Sequence, residues 1–216
     1  MLTKGEQVDC ARLDERSSNF AASPRVLTVL SFVLEKLVAR NDQLLDILGR
    51  GKSSGQPTGC RLGKSLSGFL GVRPPVISIY KYLERIHKYS RCSPSCFVVG
   101  FVYIDRLVHR FPDSLVVSLN VHRLLIASIT VASKILDDVH HNNAFYGRVG
   151  GVSNLELNRL ELELLFLLDF RVGVSSQVFE SYCLHLEREM LMNTDGQPIE
   201  KALLFSEEAA EEVIND

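Results

Sequence analysis

Long apolar runs are missing from this chain: none approaches the roughly 18–20 residues that a membrane-spanning helix needs. The opening stretch MLTKGEQVDC also lacks the apolar middle of a secretory signal. An excess of charge of either sign is missing, with 24 Lys and Arg against 26 Asp and Glu. The formal net charge is −2 with 23% charged residues, which argues against a general nucleic-acid binder and against a membrane-surface protein. Cysteines are few, odd in number and irregularly spaced, five in all, so a reducing compartment is expected and a secreted disulfide framework is not. These absences together predict a soluble intracellular protein of nucleus or cytoplasm with no membrane partner. The alternating pattern of a half-buried strand persists nowhere in the sequence. What is present is 46% hydrophobic residues over 216 positions, enough for one substantial core.

That hydrophobic content is arranged at helical spacing. Residues 1–22 are polar and mixed, a flexible lead-in. At Ser23-Pro24 a serine cap and a first-turn proline start a helix. Val26, Val29, Leu30, Val33, Leu34, Leu37 and Val38 carry it to about Arg40, with an extension to 48. Residues 49–73 change character. Six glycines lie between Gly49 and Gly68 among Ser, Pro and Thr, which marks a flexible linker. Its charge is basic throughout, from Arg50, Lys52, Arg61, Lys64 and Arg73.

Helices then follow in succession. Ile77, Tyr80, Leu83 and Ile86 space out one; Ser93-Pro94 starts the next, which Phe111-Pro112-Asp113 ends. Asn120 can cap a third, with Leu124, Leu125, Ser128, Ala132, Ile135 and Leu136 on one face. The small residues Ala127, Ser128, Ala132 and Ser133 suit a central helix that others approach closely. A short segment at 142–151 leads to Ser153-Asn154-Leu155-Glu156, a capping box. The helix behind it buries Leu157, Leu160, Leu164, Leu165 and Leu168. Ser175 or Ser176 caps the last strong helix, and 192–216 is an acidic tail. The fold class is all-α.

Features that suggest chemistry fall short of a site. Gly59-Cys60-Arg61-Leu62-Gly63-Lys64-Ser65 has three residues between its glycines where a phosphate-binding loop has four, and no buried strand precedes it. Cys92 and Cys96 form one pair where structural zinc usually takes two, and His140 and His141 are adjacent and would diverge on a helix. No nucleophile–base–acid set stands out. No catalytic residue, cofactor or metal is expected, and the protein is not expected to be an enzyme.

The succession acquires an identity at Tyr103-Ile104-Asp105-Arg106-Leu107. This segment resembles the end of the second helix of a cyclin box. Ala132-Ser133-Lys134 and Arg159-Leu160-Glu161 resemble the family's other two signatures, in the same order and spacing. The run from Pro75 to Ile86, PVISIYKYLERI, is especially similar to plant P-type (U-type) cyclins. The resemblance covers about 74–190 closely and 23–45 more loosely.

It implies a single cyclin-box five-helix bundle over 74–191, with flanking N- and C-terminal helices. It also implies a function: a regulatory subunit that binds and activates a cyclin-dependent serine/threonine protein kinase, in cell-cycle or nutrient-linked control. Such a subunit packs against the kinase αC helix and keeps the catalytic lysine–glutamate pair assembled. By family position, Lys134 donates to kinase backbone carbonyls beside αC, and Glu161 accepts from backbone N–H groups there. The alternative is a cyclin-fold transcription adaptor contacting nucleic acid or transcription proteins. That version calls for a basic face, yet Glu84, Asp105, Asp113, Asp137, Asp138, Glu156, Glu161 and Glu163 are spread through the box. The chain also departs from the mitotic cyclins, which usually carry a tryptophan in the first box helix; it has none. The stretch after Met190 is too short for a second cyclin fold.

Overall fold

Side-chain oxygens open most of the helices. The computed structural model describes residues 25–50 and 65–192. Among these are seven α-helices and no strand: α1 (Arg25–Arg50), α2 (Ile79–Ser90), α3 (Pro94–Arg110), α4 (Val121–Leu136), α5 (Asn143–Gly150), α6 (Asn154–Leu167) and α7 (Ser176–Met192). Ser78, Asn142 and Ser153 each accept from the N–H three residues on, which satisfies a donor the helix cannot. Ser175 does the same for α7, accepting from Val178, which settles the choice between the two serines. Proline at the first position opens α3 without help from the Ser93 hydroxyl.

The five helices α2 to α6 form the bundle, and α1 and α7 flank it. The central contact is α3 against α4. Gly100 sits at this crossing, where a β-carbon would come within 3.2 Å of Ile129. α4 is sealed along most of its length, from Leu124 through Ser133. The largest fully buried side chains are Tyr103, Tyr146, Phe69 and Phe97. α1 belongs to the same core through Val26, Leu27, Val29, Leu30 and Leu34, and Asn41 Nδ2 donates to Val116 O at 2.8 Å.

The structure corrects several expectations. The last part of the 49–73 stretch is packed: Leu66, just before a 3-10 turn (Ser67–Phe69), and Phe69, its last residue, are both buried. Gly71 N–H donates to Leu119 O, and Arg159 Nη2 donates to Gly68 O, clipping this segment to its neighbours. Composition alone reads such a segment as linker, because two anchors among glycines and serines give no periodicity. The short segment at 142–151 is helix α5, closed by Gly151 at φ 73°. Asn120 stands at the N-cap position of α4, but its side chain makes no capping bond; it accepts from Val117 N–H and donates to Leu115 O, locking the turn before the helix. Ile135 and Leu136 share the apolar spacing of α4, yet both are exposed. Periodicity assigns a stripe, and how far neighbours cover it is a tertiary matter. The lead-in at 1–22, the phosphate-loop-like Gly59 to Lys64, and the acidic tail from 193 lie outside the described residues.

Candidate protein-docking site

The three signature segments each hold a different joint. Asp105 is buried in α3 and accepts from Tyr182 Oη of α7 at 2.6 Å, with His109 Nδ1 3.4 Å away. Burial pushes its carboxyl above the ordinary value; the Tyr182 hydrogen bond and the nearby histidines and Arg106 oppose that rise. Tyr103 Oη donates to Val172 O, and Arg106 donates to Arg171 O and Gly173 O. This segment therefore fixes the α6–α7 connection and the seat of α7.

Ala132 and Ser133 are fully buried, and Ser133 Oγ accepts from Tyr146 Oη of α5 at 2.8 Å. The next residue turns outward. Lys134 Nζ donates to Glu161 Oε1 at 2.6 Å, an ion pair that joins the end of α4 to the middle of α6. The Lys134 side chain is 29% exposed and that of Glu161 15%, so both can still be reached from outside. Asn143, at the start of α5, donates to Glu161 Oε2 and to Asn158 Oδ1. The two residues singled out in the sequence, twenty-seven positions apart, are thus brought together. Arg123 and Glu156 make a second ion pair between α4 and α6, at 2.8 Å. Glu156 is the capping-box glutamate; its N–H is held by Ser153, while its carboxylate is turned toward Arg123.

The outer side of α6 carries exposed apolar surface that the sequence reading missed. Leu155, Leu162 and Phe166 follow a seven-then-four spacing on the solvent side of α6, opposite Leu157, Leu160 and Leu164. Ile135 adjoins Lys134, and Leu162 adjoins Glu161; both are more than half exposed. Phe170 extends the surface, its ring edge-on to Phe166 at 5.2 Å. The turn that displays it runs through Asp169 and Phe170 at φ 54° and 57°, left-handed geometry that costs a bulky residue about 1–3 kcal/mol. One signal was available in the sequence: leucine and phenylalanine occur all round α6, more than one buried stripe requires. Exposed apolar surface rimmed by charge is the ordinary mark of a protein-binding site.

Among the described residues no helix is long and apolar enough to cross a membrane. Comparison with known proteins identifies the arrangement. The family model described as Cyclin matches residues 24–172. Cyclin-U1-1 of Arabidopsis thaliana is 62% identical over 193 residues, covering 87% of this chain and 87% of the relative. Cyclin-P1-1 of Oryza sativa subsp. japonica is 48% identical over 166 residues, covering 76% of this chain and 61% of that protein. Cyclin-U3-1 of Arabidopsis thaliana is 46% identical over 179 residues, 82% of this chain and 73% of the relative.

Proposed function

Because this chain belongs to the cyclin family, we propose that it is the subunit that binds and activates a cyclin-dependent serine/threonine protein kinase. One observation carries the reading: a partly exposed lysine–glutamate ion pair, flanked in sequence by exposed Ile135 and Leu162, on two of the three helices that bear the family's signatures. The kinase performs the phosphoryl transfer. This chain supplies a binding free energy that differs between the inactive and active kinase, which shifts the kinase toward the active state. The active state is the one with αC inward and its glutamate paired to the β3 lysine.

In this reading Ile135, Leu162, Phe166 and Phe170 bury against the kinase αC region. Lys134 and Glu161 address the backbone there, Lys134 as donor and Glu161 as acceptor. Their mutual bond at 2.6 Å holds both side chains in place beforehand, which lowers the ordering cost on docking. Apolar contact supplies the affinity, and the charged pair sets the register.

The test separates a gripping pair from a merely structural one. Lys134→Glu and Glu161→Lys should each cost about 2–5 kcal/mol of kinase binding, seen as loss of co-purifying kinase activity, with helical content unchanged. The double exchange restores an internal ion pair. It should recover folded stability and still fail to bring down the kinase, because donor and acceptor have changed places against a fixed backbone. Normal co-purification by the folded single variants, or full recovery by the double exchange, defeats the proposal.

A further inference from the structure

Two thiols and a carboxylate converge where α3 begins and α4 ends. Cys92 lies in the loop before α3, Cys96 in its first turn, and Asp137 directly after α4. The two Sγ atoms and an Asp137 carboxylate oxygen all lie within 4.8 Å of one another, and Cys96 Sγ stands 3.3 Å from Asp137 Oδ2. We propose that Cys92, Cys96 and Asp137 bind one thiophilic divalent cation of the zinc class.

The dimensions suit such an ion. Metal–sulfur bonds of about 2.3 Å and metal–oxygen bonds of about 2.1 Å in tetrahedral array put ligand atoms roughly 3.6–3.8 Å apart. The cluster is within a small adjustment of those edges. Both cysteines are buried, while Asp137 is partly exposed, leaving one side of the site to water as the fourth ligand.

The surroundings suit anionic ligands. Ser90 Oγ, whose shorter bond goes to Ile86 O at 2.8 Å, lies 3.2 Å from Cys92 Sγ, and Ser93 Oγ lies 3.3 Å from Cys96 Sγ. Asp137 Oδ2 receives Ser93 N–H at 3.2 Å and Ser133 Oγ at 3.4 Å, and Ser133 is in turn held by Tyr146. Each ligand atom thus has an outer polar group to orient it, as metal ligands ordinarily do. The N-terminal end of α3 adds partial positive charge beside Cys96. Binding converts both thiols to thiolates and releases two protons to solvent. Two thiolates and a carboxylate against a dication leave one negative charge, which the helix end faces.

Sequence spacing could not reveal this site, because the third ligand comes forty-one residues after Cys96. Its consequence is mechanical. An ion there fastens the start of α3 to the last turn of α4, three residues beyond Lys134. The assignment stands independently of the kinase reading and is tested without a kinase.

The probe is Co2+ added to the full reduced chain, followed by the thiolate-to-cobalt charge-transfer band and the visible bands of tetrahedral cobalt. The expected result is one ion per chain, displaced by Zn2+. Replacing Cys10, Cys60 and Cys183 together by serine should leave the band intact. Cys92→Ser and Cys96→Ser should each abolish it. Asp137→Asn and Ser133→Ala, at the edge and behind the site, should weaken affinity about 10- to 100-fold. No charge-transfer band in the wild-type chain overturns the proposal. So does a band that survives Cys96→Ser or Asp137→Asn undiminished, which marks adventitious binding, or one lost with the three remote cysteines. Metal-independent oxidation of Cys92 and Cys96 to a disulfide, with no cobalt bound by the reduced chain, overturns it as well.

Discussion

Asp105 illustrates how much one side chain carries. It is a buried carboxylate that accepts from Tyr182 and lies beside His109. Because burial raises its pKa in the folded state, the folded chain holds that proton more tightly than the unfolded chain does. Asp105 is therefore least costly below the unfolded carboxylate range near about 3.9, and stability is lost as pH rises through the folded-state value. Asp105→Asn keeps an acceptor for Tyr182 and removes the charge. Urea midpoints measured across mildly acid to neutral pH should show the Asn variant gaining on the wild type as pH rises. A gap that does not change with pH would mean that Asp105 ionises as freely in the fold as in the unfolded chain. Lys134 and Glu161, by contrast, are held by each other at the surface, so their exchange tests recognition more than folding.

At the scale of elements, α5 is the least self-sufficient helix. It has eight residues, two of them glycine, so its own propensity is weak. Two local devices define it: Asn142 accepting from Phe145 N–H, and Gly151 in left-handed geometry at the other end. Packing does the rest, since Tyr146 is fully buried and a β-carbon on Gly147 would come within 2.9 Å of Val152 O. Asn142→Ala should cost about 0.5–2 kcal/mol in urea denaturation, with faster amide exchange at Phe145. Because α5 begins with the Asn143 that orients Glu161, the same change should weaken kinase co-purification more than its stability cost alone explains. Asn142 and Gly151 are residue types that suit helix ends, yet the sequence showed this stretch only as a short segment. The eight positions between them were not legible as a helix, because so short a run shows no clear period.

At the scale of the molecule, α1 decides whether the fold is one unit or a box with an appendage. Leu34 is fully buried, and the apolar side of α1 enters the same core as α2, α3 and α7. Asn41 and Asp42 also bond the loop before α4, from the other end of the helix. Leu34→Ala should lower stability by about 2–5 kcal/mol, with an unchanged denaturant slope and one cooperative transition for all probes. Two transitions, with α1 melting first, would show that the bundle stands without it. The flanking place of α1 and α7 around five helices followed from the resemblance. That Leu66 and Phe69 join this core did not, because a glycine-rich stretch hides two anchors that only contact reveals.

By itself the sequence determined every described helix but α5, several of their starts, the all-α class and the cyclin family. These are local matters: caps act within three residues, apolar spacing repeats every turn, and the three signatures are contiguous strings. Tertiary structure alone decided what those helices bring together. It joined Lys134 to Glu161, left Ile135, Leu162, Phe166 and Phe170 uncovered, and carried Asp137 to the two cysteines. The reason is physical: a side chain's spacing sets the direction it points along its own helix, whereas burial and partnership depend on where a distant helix passes and where it ends.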